Sequence, residues 1–157
     1  MSIAPRFIRR SVLSALCLAS AWSAAPAWAQ FAMVPSPLAV ATAAAASEAE
    51  SDLGYKRDAA KHLYASYPTR IYKGRLPPLL YGVAIVETDV NGDGAVTDVR
   101  MRRPPAAAEV GPWIVQMIRK AGPFPQPTRL GKATYVEVWL VHKGGNFQLD
   151  TLTEGQN

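Results

Sequence analysis

Tyr81-Gly82-Val83-Ala84-Ile85-Val86-Glu87-Thr88-Asp89-Val90, then Asn91-Gly92-Asp93-Gly94, then Ala95-Val96-Thr97-Asp98-Val99-Arg100-Met101-Arg102, is the stretch that decides the fold. Its first arm is rich in β-branched residues, which fit a pleated and half-buried surface. The four central residues supply the left-handed turn conformations that a tight β-hairpin needs. In the second arm Thr97, Val99 and Met101 alternate with Asp98, Arg100 and Arg102, the period of a strand with one face on a core. The stretch predicts a β-hairpin. It also opens like a calcium loop, Asp89-x-Asn91-x-Asp93-Gly94, but the twelfth position, where a bidentate glutamate would close the ion's shell, is Arg100. An arginine there repels the cation, so no metal site is expected.

Upstream, from about Asp52, Ala59, Ala60, Leu63, Tyr64 and Tyr67 recur at three- and four-residue spacing with charged residues mostly between them. That pattern predicts an amphipathic helix stopped by Pro68, and Thr69 to Pro78 reads as a loop. Downstream of Pro104-Pro105, Val110, Trp113, Ile114, Met117 and Ile118 mark a second helix face. Gly122-Pro123 ends it, and Pro112 suits its first turn. Thr134 to His142 reads as a third strand, Lys143 to Asn146 as a turn, and Phe147 to Leu152 as a fourth strand. The order is α-β-β-α-β-β. The expected fold class is α+β, a small antiparallel sheet of three to four strands packed against two helices.

The N-terminal residues read as an address. Arg6, Arg9 and Arg10 precede an apolar run from Val12 to Trp22, and Ala27-Trp28-Ala29 puts small residues at the positions a signal peptidase accepts. Residues 1–29 are therefore expected to be a signal peptide cut between Ala29 and Gln30, with export to the periplasm. The alternative keeps Ser11 to Ala29 as an inner-membrane anchor, the only route by which this sequence meets a membrane. Residues 30–51 hold Pro35, Pro37 and the Ala43 to Ala46 run and read as a disordered linker. Residues 52–157 form the expected domain.

Of 157 residues, 17 are Lys or Arg and 12 are Asp or Glu, a net charge of +5. Removing the first 29 residues takes away three arginines and no acid, so the remaining 128 carry +2. It also removes Cys17, the single cysteine, which rules out an internal disulfide framework and suits an oxidising compartment.

Candidate chemistry is sparse. His62 and Ser66 lie four apart on the first helix, but a hydrolase would also want an orienting third group and a strained nucleophile turn. A small periplasmic hydrolase built on them is the alternative from another class. The expectation is no enzyme, no catalytic residue and no cofactor. His142 has no second histidine or cysteine near it in sequence. Arg70, Lys73 and Arg75, and Arg100, Arg102 and Arg103, are the best basic clusters, yet a charge of +2 is a modest footprint for nucleic acid, which is not expected as a partner.

The order of these features resembles the C-terminal domain of TonB and related energy transducers. Tyr67-Pro68 looks like that family's Tyr-Pro entry, Gly82 to Val99 like its strand, Asp-Gly turn and alternating valines, Phe124-Pro125-Gln126-Pro127 like its aromatic-Pro segment, and Val136 to Leu140 like its third strand. The resemblance implies a domain that binds an envelope protein or receptor peptide by adding an extended segment beside the third strand. Contacts would come from Tyr67, Pro68 and Arg70 and from the backbone of Thr134, Val136, Val138 and Leu140; the side chains of Val136, Val138 and Leu140 are expected to pack in the core. It also implies, as an alternative, a short anchored transducer serving outer-membrane transport. A homodimer is left open, and so is masking of the third strand's edge by the fourth.

Overall fold

The computed structural model describes Phe31 and residues 45–156. The expected signal peptide and its cleavage residues Ala29 and Gln30 lie outside the described residues. From residue 45 the described elements run in order β1 Ala46–Ser47, α1 Asp52–Ser66, β2 Gly82–Val90, β3 Val96–Arg103, α2 Val110–Ala121, β4 Gln126–Pro127, β5 Ala133–Val141, β6 Phe147–Leu149 and a 3-10 turn at Asp150–Leu152. The class is α+β. A four-stranded antiparallel sheet in the order β3-β2-β5-β6 carries both helices, and β1 and β4 form a separate parallel pair. Among the described residues no helix is long and apolar enough to cross a membrane.

The hairpin forms as its sequence predicts. Asn91 Oδ1 accepts the main-chain N–H of Asp93 and of Ala95, and Gly94 takes φ of 83° to close the turn. Asn91's carboxamide is thereby spent inside the loop, and Asp89 is held by Arg100 and Thr134, so the loop oxygens do not converge on an ion. Among the described residues no cluster of His, Cys, Asp or Glu is arranged to hold a metal.

Helix α1 starts where Ser51 accepts the N–H of Gly54, with Asp52 in the first turn where the helix dipole favours an anion. It ends at Ser66, with Tyr67 as the cap before Pro68. It buries Tyr55, Ala59, Ala60 and Leu63 against the sheet. Helix α2 buries Val110, Trp113, Ile114, Met117, Ile118 and Ala121, all at helical spacing, and Pro112 sits in its first turn, where a missing N–H costs nothing. Burying a Leu, Ile or Met side chain contributes roughly 1.5–3 kcal/mol, so this single stripe fixes the helix to the sheet.

α1 lies over β5 and α2 over β3. Aromatic rings fill the space between: Trp139 packs on Phe147 with centroids 4.7 Å apart, Trp113 meets Phe147 edge-on, and Tyr55 and Phe124 both contact Tyr135. β2 is the central brace, paired with β5 over all nine residues from Gly82 opposite Val141 to Val90 opposite Ala133.

Four expectations change. The folded unit includes residues 45–51 as well as Asp52 onward, because Ser47 is buried, donates to Asp58 Oδ2 at 2.7 Å and accepts Thr128 Oγ1 through its carbonyl, while Arg129 pairs with Glu48 and Glu50. Further back, Phe31 is buried as well, stacked on Tyr81 and edge-on to Trp113, so part of the segment read as linker touches the domain. The fourth strand stops at Leu149 instead of Leu152. The core phase of β5 is the reverse of that expected: Tyr135, Glu137, Trp139 and Val141 point inward, whereas Val136 is 42% exposed and Val138 and Leu140 are half-buried on the open face.

Candidate binding edge

β5 has two sides, and they are used differently. The main-chain groups of its odd-numbered residues face β2; Val141, for example, accepts the N–H of Tyr81. Those of its even-numbered residues face the other way, as His142 shows just beyond the strand by donating to Asn146 in the β5–β6 turn. On that outer side β6 pairs only with Trp139, Leu140 and Val141. Among the described residues, Thr134, Val136 and Val138 therefore lie on an edge with no strand beside it.

Side chains of this same chain occupy part of the edge. Asp52 Oδ1, at the start of α1, accepts the Thr134 N–H at 3.2 Å. Glu137 folds back so that its Oε1 accepts the N–H of Val138 at 2.9 Å and that of Thr151 at 3.4 Å. Lys56 Nζ approaches the same oxygen at 3.5 Å. Among the described residues no group bonds to the Val136 N–H or C=O. Two of the three large apolar side chains most exposed among the described residues belong here: Val136 itself and Leu53, 79% exposed and next to Asp52 in sequence. A strand laid beside β5 would bring its own N–H and C=O groups to Val136 and cover apolar surface.

The open sheet face next to the edge is divided. Val83 opposite Leu140 and Ile85 opposite Val138 make an apolar strip, while Glu87 opposite Val136 begins an ionic cluster. Arg100 reaches Glu87, Asp89 and Asp98, and Arg102 forks onto Glu87. These arginines hold the Glu87 and Asp89 carboxyls below the usual carboxylate range, chiefly by direct hydrogen bonds. The basic cluster read in the sequence at Arg100 and Arg102 is thus neutralised by its own hairpin.

The other expected contact residues are not part of this edge. Tyr67 is buried, its hydroxyl donating to the Met117 carbonyl at 2.9 Å, and burial pushes its pKa up to about 12. It ties α1 to α2 and offers no side chain to a partner. Pro68 is exposed, and Arg70 gives its carbonyl to the Phe147 N–H. With Ile71 bridged to Phe147, this segment lines the far side of β6. The structure brings Thr134, Val136 and Val138 together, sets Leu140 inside the β5–β6 ladder, and leaves Tyr67, Pro68 and Arg70 across β6 from them.

His62 and Ser66 do not form a dyad. The His62 ring bonds to the Ala121 carbonyl at 2.7 Å, and Ser66 Oγ donates to the main-chain carbonyl of His62. The His142 ring accepts the Gly144 N–H within its own turn. A groove of about 690 Å³ between β3's end, the following prolines and α2 is walled by Met101, Pro104, Pro105, Pro112 and Val115, with no titratable side chain among its lining residues.

Sequence reading missed Asp52, Leu53, Lys56, Glu137 and Thr151. The one signal in the sequence was Glu137 itself, a lone charge between Val136 and Val138. Comparison with family models, with curated proteins and with solved structures finds no match to this chain.

Proposed function

We propose that the protein is an exported, periplasmic interaction domain of the TonB C-terminal type, which binds an extended segment of an envelope protein by strand addition to the β5 edge at Thr134–Val138. The observation that carries this reading is the Val136 backbone, without a partner among the described residues and bearing an exposed side chain, where β6 covers only the last third of β5. An unpaired strand edge is a ready template for another chain, and proteins usually blunt such edges with charge, proline or a covering loop. Here an apolar side chain stands at the centre of it.

The domain's part in the interaction is mechanical and non-enzymatic. Main-chain bonds to Val136 give affinity that is independent of sequence, and side chains on alternate sides of the incoming segment meet Val136 and Val138 above and the start of α1 below. The resemblance read from the sequence supplies the family part of this reading, and the α+β class with a four-stranded antiparallel sheet is compatible with it.

Val136→Pro tests the reading. Proline removes the open N–H but is tolerated on an edge strand whose N–H faces away from the sheet, so the fold is expected to survive. A photo-crosslinking side chain placed at Thr134 in intact cells should capture a discrete partner from the unmodified background and lose it when Val136→Pro is added. Equal capture with and without the proline, in protein of unchanged thermal stability, refutes strand addition at this edge.

A further inference from the structure

We propose that the Glu137 carboxylate is a wedge that holds the chain after β6 off the β5 edge, and that its neutralisation lets Asp150–Glu154 extend the pairing and close that edge. The strand-addition reading supplies only the consequence for binding; the wedge stands on geometry within this chain.

The β5–β6 register sets Trp139 opposite Leu149, Leu140 opposite Gln148 and Val141 opposite Phe147. Continued in the same register, Asp150, Leu152 and Glu154 would stand opposite Val138, Val136 and Thr134. The segment after β6 therefore has the length and position to cover the free edge completely. It does not do so, because at the next pair, Glu137 and Thr151, the ladder is replaced by the Glu137 side chain. One carboxylate oxygen takes the N–H of Val138, which the extended ladder would give to Asp150, and also the N–H of Thr151, which it turns inward. The chain responds by coiling into the 3-10 turn at Asp150–Leu152.

Past that turn the tail is held elsewhere by contacts of modest strength. Gln148 Oε1 accepts Thr153 Oγ1 and the Glu154 N–H, Glu154 accepts the Gly74 N–H, and the Leu76 N–H donates to Gly155. The segment thus has two alternative seats, one beside residues 74–76 and one on β5.

The wedge is imperfectly satisfied. Glu137 is 1% exposed, yet among the described residues its Oε2 and the neighbouring Thr151 Oγ1 have no hydrogen-bond partner, an arrangement that costs free energy in a buried site. The titratable groups facing it are Lys56 and Tyr64 from α1 and Tyr135 from β5 itself, with Glu154 of the tail facing Tyr64. Burial raises the Glu137 pKa above the usual carboxylate value, against the opposing pull of Lys56 and of the Val138 and Thr151 main-chain N–H groups. Mild acidification therefore reaches this carboxylate before it reaches the ionic cluster on β2 and β3. A protonated Glu137 loses its hold on Lys56 and accepts the two N–H groups weakly.

Amide exchange and proton NMR on the full protein read the wedge without any partner, so its failure is distinct from failure of strand addition. In the unaltered protein at neutral pH the Val136 amide should exchange fast. In Glu137→Val it should slow by about tenfold or more, and a cross-strand Hα–Hα contact between Tyr135 and Thr153 should appear. Adding Leu152→Pro, which removes the N–H that the new pairing needs, should restore fast exchange at Val136. Should Glu137→Val not fold, acidifying the unaltered protein through the Glu137 titration must raise Val136 protection, and Glu137→Gln must show the raised protection already at neutral pH. Unchanged Val136 exchange overturns the proposal, and so does slowed exchange without the Tyr135–Thr153 contact.

Discussion

Gly94→Ala is the substitution whose cost the structure specifies most closely. Gly94 has φ of 83°, and an added Cβ would stand 2.1 Å from the carbonyl oxygen of Phe124, far inside contact distance. The left-handed conformation alone costs an alanine about 1–2 kcal/mol. The clash is with main chain, so it cannot be relieved by a rotamer change. Phe124 must back away, which breaks the 2.8 Å bond from its N–H to the Gly94 carbonyl, about 1 kcal/mol, and lifts a fully buried ring from its place against Tyr135 and His62. Losing half or more of that ring's burial removes a further 1–2 kcal/mol or so. The sum is about 3–5 kcal/mol, a large share of the roughly 5–15 kcal/mol that holds a domain together.

Gly131 is the internal control. It has φ of 70° with nothing within 4 Å of an added Cβ, so Gly131→Ala should cost only the conformational part, about 1–2 kcal/mol. Urea unfolding followed by circular dichroism measures both variants by linear extrapolation. The expected difference between them is about 2–3 kcal/mol, the sum of the bond and the ring. Equal midpoints for the two variants would refute the argument that this turn is locked to Phe124.

Two more outcomes follow from the packing and the charges. Tyr67→Phe removes one buried hydrogen bond and should lower stability by about 1 kcal/mol while leaving capture at Thr134 unchanged, since Tyr67 faces α2 and not the edge. A loss of capture in stable Tyr67→Phe protein would return that residue to the binding surface. Glu87 and Asp89 have lowered pKa values in the fold, so their contribution is present above the unfolded carboxylate value and is lost as pH falls through the folded one. Arg100→Met should therefore weaken the fold at neutral pH and flatten its loss of stability below about pH 4. An acid limb as steep as before would show that Arg100 does not carry it. Glu137 runs the other way: its raised pKa means that ionisation opposes folding, and acidification from neutral pH through its titration relieves that opposition.

The hairpin and the second helix were legible because each has a single consistent period. Val110, Trp113, Ile114, Met117 and Ile118 leave one choice of buried face, and Asn91 to Gly94 leave one choice of turn. β5 was legible as a strand but not in its phase. Tyr135, Trp139 and Val141 on one side and Val136, Val138 and Leu140 on the other are both apolar, so alternation does not choose between them. The lone charge at Glu137 argued for the wrong phase, since a carboxylate is expected in water. It is buried because Lys56 and two main-chain N–H groups from separate parts of the chain meet it there.

By itself the sequence determined the class, the order of the two helices and the four strands of the antiparallel sheet though not the β1–β4 pair, the turn at Asn91–Gly94 and the apolar stripe of α2, since each depends on neighbours within a dozen residues. Only the tertiary structure decided where the edge of β5 is open. That depends on the short β6, on Asp52 arriving from 82 residues away in the chain to cap Thr134, and on Glu137 taking the N–H groups that would have carried the ladder further. Such contacts join residues whose separation in sequence carries no period, so no local pattern records them. The hairpin that decided the fold thus leaves the candidate function to the strand beside it.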